Sequence, residues 1–215
     1  MRLYHGSDHI IEKPEFGYGK PYNDYGLGFY CTEDIELAKE WSVEEGRDGY
    51  ANSYKLDVSG LKILDLNDKK YSVLSWIAIL LANRNFQLNS PIAFEAKKFL
   101  IEKYLPDYET ADVIKGYRAD DSYFSFARDF VNNTISVEQL SEAMRYGELG
   151  EQIVLKSKKS FERISYTESV EVESKIWYPK KESRDNQARL KYYNLDKNTF
   201  RRGETYIIKL LEEES

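Results

Sequence analysis

The chain has two histidines, His5 and His9, and the first sits in "RLYHGS", a stretch that reads as an opening strand. Gly6 and Ser7 follow directly, so the strand ends where the imidazole is presented. Glycine lets a backbone approach a ligand closely, and a strand edge with free N–H groups can bind a planar amide. "YGLGFYCT" brings Tyr30 to a similar glycine-punctuated edge, and "GELGEQIVLKS" brings Glu151 and Gln152. Together these offer an imidazole, a phenol ring and an acid–amide pair. Cys31 is the lone cysteine, which excludes an internal disulfide, a CxxC redox pair and a cysteine-built zinc site. Two histidines beside one cysteine also argue against a metal.

Each of these residues has a plainer reading. His5 alone could be a hydrogen-bonded structural histidine, and Tyr30 could be a core residue in a chain with 18 tyrosines. Cys31 reads as buried and inert. "RADD" at 118–121 could be a turn into a helix, with Asp121 or Ser122 as its N-cap and Arg118 pairing beside it.

The elements that must position these groups follow from pattern. Residues 11–28 are loop-like, broken by two prolines and four glycines, and within them "YGKPYNDYG" could close as a lid over a cleft. "GFYCT" reads as a short buried strand running into a helix, "TEDIELAKEWSVEE", with Thr32 as N-cap and Ile35, Ala38 and Trp41 at helical spacing. "YANSYKLDVS" and "LKILDLN" are strands, 71–104 is helical in two stretches, "SVLSWIAILLANR" and then "IAFEAKKFLIEKYL", and Val113 to Arg118 is a strand. Residues 122–146 are helical again, with a Ser136 cap. A strand at "GELGEQIVLKS", a short helix at "KKSFERI", a strand at "SYTESVEVES" and a last strand at "ETYIIKLL" complete the order. This irregular alternation suits an α+β fold better than a regular βαβ array.

Composition bounds the classes. Over 215 residues, 41% are hydrophobic and 32% charged, which suits one large domain or a domain with a decorated end and is unlike a disordered chain. The first residues carry charges throughout, unlike a signal peptide. The longest apolar stretch, "SVLSWIAILLANR", is shorter than a membrane span of about 20 residues. The expectation is a cytoplasmic protein with no membrane contact. Net charge is −6, yet residues 175–209 hold ten Lys/Arg against four Asp/Glu. An acidic body with a basic C-terminal region can present an electrostatic contact surface or simply a solvated face.

His-Gly-Ser on the first strand, Gly-x-Gly-Phe-Tyr-x-Thr running into a helix, and a late Glu-Gln-Ile-Val-Leu strand resemble the ADP-ribosyltransferase superfamily. The likeness is to its His–Tyr–Glu branch, which includes the poly(ADP-ribose) polymerases and diphtheria-toxin-like enzymes. "YHGS", "DYGLGFYCTEDIELAKEW", "ADVIKGYRADD" and "EQIVLKS" look more closely like a bacterial family of unknown function placed in that superfamily. The resemblance covers residues 1–166 and implies a split β-sandwich with helical insertions, with residues 167–215 a basic extension packed on or continuing the domain. It implies NAD as substrate, no metal, and a glycosyl transfer of ADP-ribose. By the same resemblance His5 would bond a ribose hydroxyl, and Gly6 with Ser7 beside it would hold the nicotinamide carboxamide. Tyr30 would stack on the nicotinamide ring, and Glu151 or Gln152 would engage the ribose 2′-hydroxyl.

Adjacent strand residues face opposite sides, so Glu151 and Gln152 cannot both enter a cleft. Aligning "EQIVL" with the polymerase-like members selects Glu151, and aligning it with the toxin-like members selects Gln152. The reading leans to Gln152, which shares the more polar face with Val154 and Lys156. A glutamine can bind a ribose but cannot act as a base, so Asp120 or Asp121 would activate the acceptor. The expected function is a mono-ADP-ribosyltransferase acting on a protein or nucleic acid, in the setting of a toxin held by an antitoxin or of phage defence. A partner-binding module that keeps the pocket without turnover, and an NAD glycohydrolase, remain the rivals. The basic C-terminal segment, with Arg184, Arg189, Arg201 and Arg202 among Trp177, Tyr192 and Tyr193, could bind nucleic acid. It could equally pack on the domain or dock an antitoxin or regulatory partner.

Overall fold

A computed structural model describes residues 1–85, 87–118, 123–144, 150–194 and 200–213. Seven strands and eight helices are present among them, and the strands form two sheets in a mixed α/β arrangement. One sheet holds β1 (Arg2–Ser7), β3 (Gly49–Leu56) and β7 (Ile164–Val172), in the order β1-β3-β7 and all antiparallel. The other holds β2 (Phe29–Cys31), β6 (Glu151–Leu155), β5 (Val113–Tyr117) and β4 (Ile63–Asp65), in that order. It is antiparallel except for the β4–β5 pair.

The edge strands β1 and β2 touch at one bridge. Tyr4 and Thr32 exchange both backbone hydrogen bonds, at 2.8 and 2.9 Å, and beyond them the strands part. Leu3, Cys31, Tyr54, Leu56, Val113, Ile153 and Leu155 form one buried cluster, drawn from both sheets. Each such side chain removed from water contributes about 1.5–3 kcal/mol, and this cluster holds the sheets face to face behind the parting. The far side of the β2-β6-β5-β4 sheet packs on a larger core. That core includes α2 (Val73–Asn83), α3 (Pro91–Tyr104), α4 (Tyr123–Val131), α5 (Val137–Ala143) and α8 (Ile207–Glu212). Residues 74–81 of α2 are all buried, as expected of a helix apolar all round.

Against the β1-β3-β7 sheet lie α1 (Ile35–Ser42) and α7 (Ser174–Tyr193), while α6 (Lys158–Phe161) is a single turn. β7 crosses residue 166 without interruption as the third strand of its sheet, so the chain on either side of that position shares one sheet. Among the described residues no helix is long and apolar enough to cross a membrane.

Two expectations need correction, and two helical regions divide where the sequence divides them. Thr32 is not the cap of α1: its backbone is held in the bridge to Tyr4, and Asp34 caps instead, accepting from the Glu36 N–H at 2.8 Å. The two helical stretches of the 71–104 region are two helices, as their sequences suggest. α2 ends at Arg84 in an extended conformation, and α3 restarts at a Ser90 cap with Pro91 in its first turn, where proline fits because it has no N–H to leave unpaired. The 122–146 region also breaks, at Asn133 with φ 61°, before Ser136 closes a capping box with Gln139. Finally, "ETYIIKLL" is the helix α8. Ile207, Leu210 and Leu211 meet the larger core at helical spacing, which a period-2 reading of the same residues misses.

Candidate functional site

The parting of β1 and β2 opens a cleft of about 560 Å³, the size range of small-molecule sites. His5, Ser7, Tyr30 and Gln152 all line it, together with Trp41, Arg84, Arg118 and loop residues that include Tyr18 and Asn23. Gly6 and Glu151 do not.

His5 is the first β1 residue past the bridge. Its ring lies 4.5 Å from that of Phe29, and its Nδ1 is 2.6 Å from the Tyr30 carbonyl oxygen. A carbonyl only accepts, so Nδ1 carries the proton and donates. Burial lowers the imidazole pKa below 6.5, a shift that the Tyr30 contact opposes. The ring is therefore neutral, and Nε2 is a bare acceptor.

Gly6 serves the site through its backbone. In an antiparallel strand the groups facing one neighbour alternate, so the N–H and C=O of Gly6 face the same side as those of Tyr4. That side is the parting, and among the described residues neither group has a partner there. A Cβ at Gly6 would stand 2.1 Å from the Ala38 carbonyl oxygen and 2.7 Å from the Ser42 nitrogen, so α1 packs where only glycine fits. Ser7 is engaged: its hydroxyl donates to the His9 carbonyl at 2.7 Å and accepts from Asn52 at 2.9 Å. Buried Asn52 also reaches the His5 carbonyl and accepts from the Ile11 N–H and the Ser169 hydroxyl. It ties the end of β1 and the start of the loop to the sheet.

Tyr30 is gripped at its hydroxyl, which donates to the Gly26 carbonyl at 2.6 Å and accepts from the Tyr25 N–H at 3.1 Å. Burial drives its pKa far above the ordinary 10, so it stays a phenol. Lys156 braces the same turn by donating to the Tyr25 carbonyl at 2.5 Å, and burial lowers its pKa. Tyr30 thus presents a ring of fixed orientation to the cleft, with no hydroxyl to spare.

The register of β6 separates Gln152 from Glu151. Gln152 stands opposite Gly116 and is 7% exposed. Its Oε1 is buried without a hydrogen-bond partner among the described residues, which costs about 1–3 kcal/mol while it lasts. Glu151 instead meets Lys115 at 3.1 Å and Asn67 at 2.5 Å, away from the cleft. Burial works against the charge on Lys115, but Glu151 and Glu33 outweigh it and hold its pKa above the ordinary value. Asp120 and Asp121, the expected acceptor-activating residues, lie outside the described residues.

Other groups here were not singled out from sequence. Arg84 lines the cleft bonded at 2.9 Å to buried Asp24. Trp41, one turn beyond Leu37 on α1, has a buried indole N–H with no partner among the described residues. Arg118 stacks on its ring at 5.0 Å. Trp41 reads in sequence only as a core position of α1, and nothing local joins it to Arg118. No cluster of His, Cys, Asp and Glu suited to a metal occurs among the described residues. The Cys31 thiol is buried, which pushes its pKa well up.

The basic C-terminal region is partly committed to the fold. Trp177 lies between the ammonium groups of Lys39 and Lys180, at 4.7 and 3.7 Å, and Arg184 grips buried Glu40 with two bonds of 2.8 and 2.9 Å.

Fold and cleft together define a two-sheet α/β protein with a ligand-sized pocket where the sheets part, its largely apolar wall set with polar side chains. Residues 1–166 match the family described as "Protein of unknown function (DUF3990)", and the chain belongs to it. No curated protein and no solved structure matches the chain.

Proposed function

We propose that this protein is an ADP-ribosyltransferase that uses NAD as donor, on a fold of the split-sandwich type its motifs resemble. The observation that carries the reading is a pair of acceptors without a hydrogen-bond partner among the described residues, His5 Nε2 and Gln152 Oε1, in one cleft with the fixed ring of Tyr30. Two acceptors suit the hydroxyls of a ribose. The open backbone edge of Gly6 suits a carboxamide, and the Tyr30 ring suits stacking on a planar pyridinium.

In the proposed reaction the bond from ribose C1′ to the nicotinamide nitrogen breaks, its electron pair leaves with the nicotinamide, and an acceptor nucleophile bonds to C1′ as it loses its proton. Hydrogen bonds to the ribose hydroxyls gain strength as positive charge develops on the sugar. Gln152 supplies such a bond without a charge. Because an amide at this place lends no negative charge, a second reading is a module that binds NAD without turning it over.

The test is adenylate-labelled NAD with the purified protein and a bacterial lysate, divided for protease and nuclease treatment. Label in a macromolecule, lost in Tyr30→Ala and Gln152→Ala and kept in Glu151→Ala, is the expected result. Intact NAD bound tightly with no label would establish the module. Nicotinamide release with no labelled acceptor would leave a glycohydrolase.

A further inference from the structure

The cleft also contains two donors that the ribose and the nicotinamide do not use. The indole N–H of Trp41 is buried with no partner among the described residues, and Arg118 lies 5.0 Å over the same ring. Arg118 has no carboxylate partner among the described residues, whereas Arg84 is bonded to Asp24. Both side chains line the cleft. Their places are fixed: Trp41 packs beside Gly6 on β1, and the Arg118 N–H is tied to the Gly150 carbonyl at 3.4 Å, next to the start of β6.

Indole and guanidinium only donate, so what they take must accept, and the fixed charge of the guanidinium favours an acceptor that is negative. That describes an oxyanion. A guanidinium placed over an indole face keeps N–H donors of its fork for another partner, and that fork matches phosphate in bidentate contact. The chain as a whole is acidic, at −6, so a local cation is needed to hold an anionic ligand against that field. We infer that Trp41 and Arg118 form an oxyanion subsite that holds a phosphate of the sugar-phosphate ligand whose ribose His5 and Gln152 engage. The inference rests on the nucleotide reading of the cleft. It adds a second pole: acceptors for sugar hydroxyls on one side, donors for the phosphate on the other.

The experiment compares ligands that differ in phosphate. Nicotinamide riboside, nicotinamide mononucleotide and ADP-ribose are titrated calorimetrically into the full chain and into Trp41→Phe and Arg118→Gln. Trp41→Phe keeps an aromatic ring under Arg118 and removes only the N–H. The expected result is a loss of about 10-fold in affinity for the two phosphate-bearing ligands in each variant, with the riboside unaffected. Equal losses for riboside and mononucleotide would overturn the subsite while leaving the NAD reading standing. So would equal affinity of the unaltered protein for riboside and mononucleotide. Failure of every phosphate-bearing ligand to bind would overturn it outright. Arg118-dependent binding of ADP-ribose by a protein that leaves NAD intact would uphold the subsite and remove the transferase.

Discussion

The Nδ1 of His5 and the carbonyl oxygen of Tyr30 stand 2.6 Å apart, one residue past the last backbone bond between β1 and β2. The imidazole takes over where the ladder stops. One contact therefore ties the two sheets at the mouth of the cleft, sets the tautomer of the histidine and leaves Nε2 unprotonated. It also holds the strand that carries the Tyr30 ring, so the two residues expected to act on one ligand are fixed relative to each other.

Acid should weaken both binding and fold through this residue. The folded pKa of His5 is lowered, so below 6.5 the unfolded chain binds the proton first. The contribution of neutral His5 is complete above 6.5 and is lost as pH falls through the folded value. Protonation also converts Nε2 from acceptor to donor. NAD affinity measured from pH 8 to pH 5 is expected to be level at the alkaline end and to fall at the acid end. His5→Ala should bind about 10-fold more weakly at pH 7.5, through loss of one hydrogen bond and the stacking behind it, with little pH dependence left over this range. A steep acid limb surviving in His5→Ala would assign the titration elsewhere.

Gln152 and Glu151 should separate cleanly. Gln152→Ala removes the acceptor that lines the cleft and should reduce ligand affinity by about 10-fold while raising stability slightly or not at all, because an unpaired buried oxygen goes with it. Glu151→Ala breaks a partly exposed pair with Lys115 and a contact with Asn67, worth about 1 kcal/mol or less, and should leave affinity unchanged. Calorimetry on both variants decides this; a larger binding defect in Glu151→Ala would reverse the assignment of the two faces.

Gly6→Ala should cost more than any single polar change at the cleft. The new methyl meets backbone atoms of α1, at 2.1 Å from the Ala38 oxygen and 2.7 Å from the Ser42 nitrogen, and neither can rotate away. Overpacking of this kind costs about 3 kcal/mol, or roughly 6–12 °C in Tm for a chain of this size. Thermal unfolding followed by circular dichroism reads it directly; a Tm within 2 °C of the unaltered protein, roughly the shift for 1 kcal/mol or less, would mean α1 sits further from β1.

Much of the site frame is legible in the sequence because it lies in short, strongly patterned strands. "RLYHGS", "GFYCT" and "EQIVL" become β1, β2 and β6, and period-2 alternation already says that only one of Glu151 and Gln152 faces the ligand. Which one depends on register against β5, where Gln152 meets Gly116, and register is a tertiary fact. The Trp41–Arg118 pair was illegible for a similar reason. The two residues belong to different elements, and the mark of interest is an N–H left unpaired, visible only once every neighbour is placed. The α8 run reads as a strand from sequence because a short apolar run satisfies both periods, and only the core that receives Ile207 decides between them.

The last prediction concerns the link from α7 to the cleft. Arg184 contacts both carboxylate oxygens of Glu40, whose side chain is 4% exposed, and Glu40 precedes Trp41 on α1. Lys181 adds a bond to the Val43 carbonyl at 2.9 Å, at the end of the same helix. Removing the cation strands a buried carboxylate, so Arg184→Met should destabilise the fold by about 3–5 kcal/mol. Glu40→Gln in the same chain should recover a substantial part, because the buried charge is then gone. If α7 also holds the C-terminal turn of α1 in place, Arg184→Met should lower affinity for nicotinamide mononucleotide more than for nicotinamide riboside, since Trp41 moves and His5 does not. Chemical denaturation of the single and double variants, with both titrations at a temperature where each is folded, separates the effects. Lost stability with both affinities intact would confine α7 to a structural role.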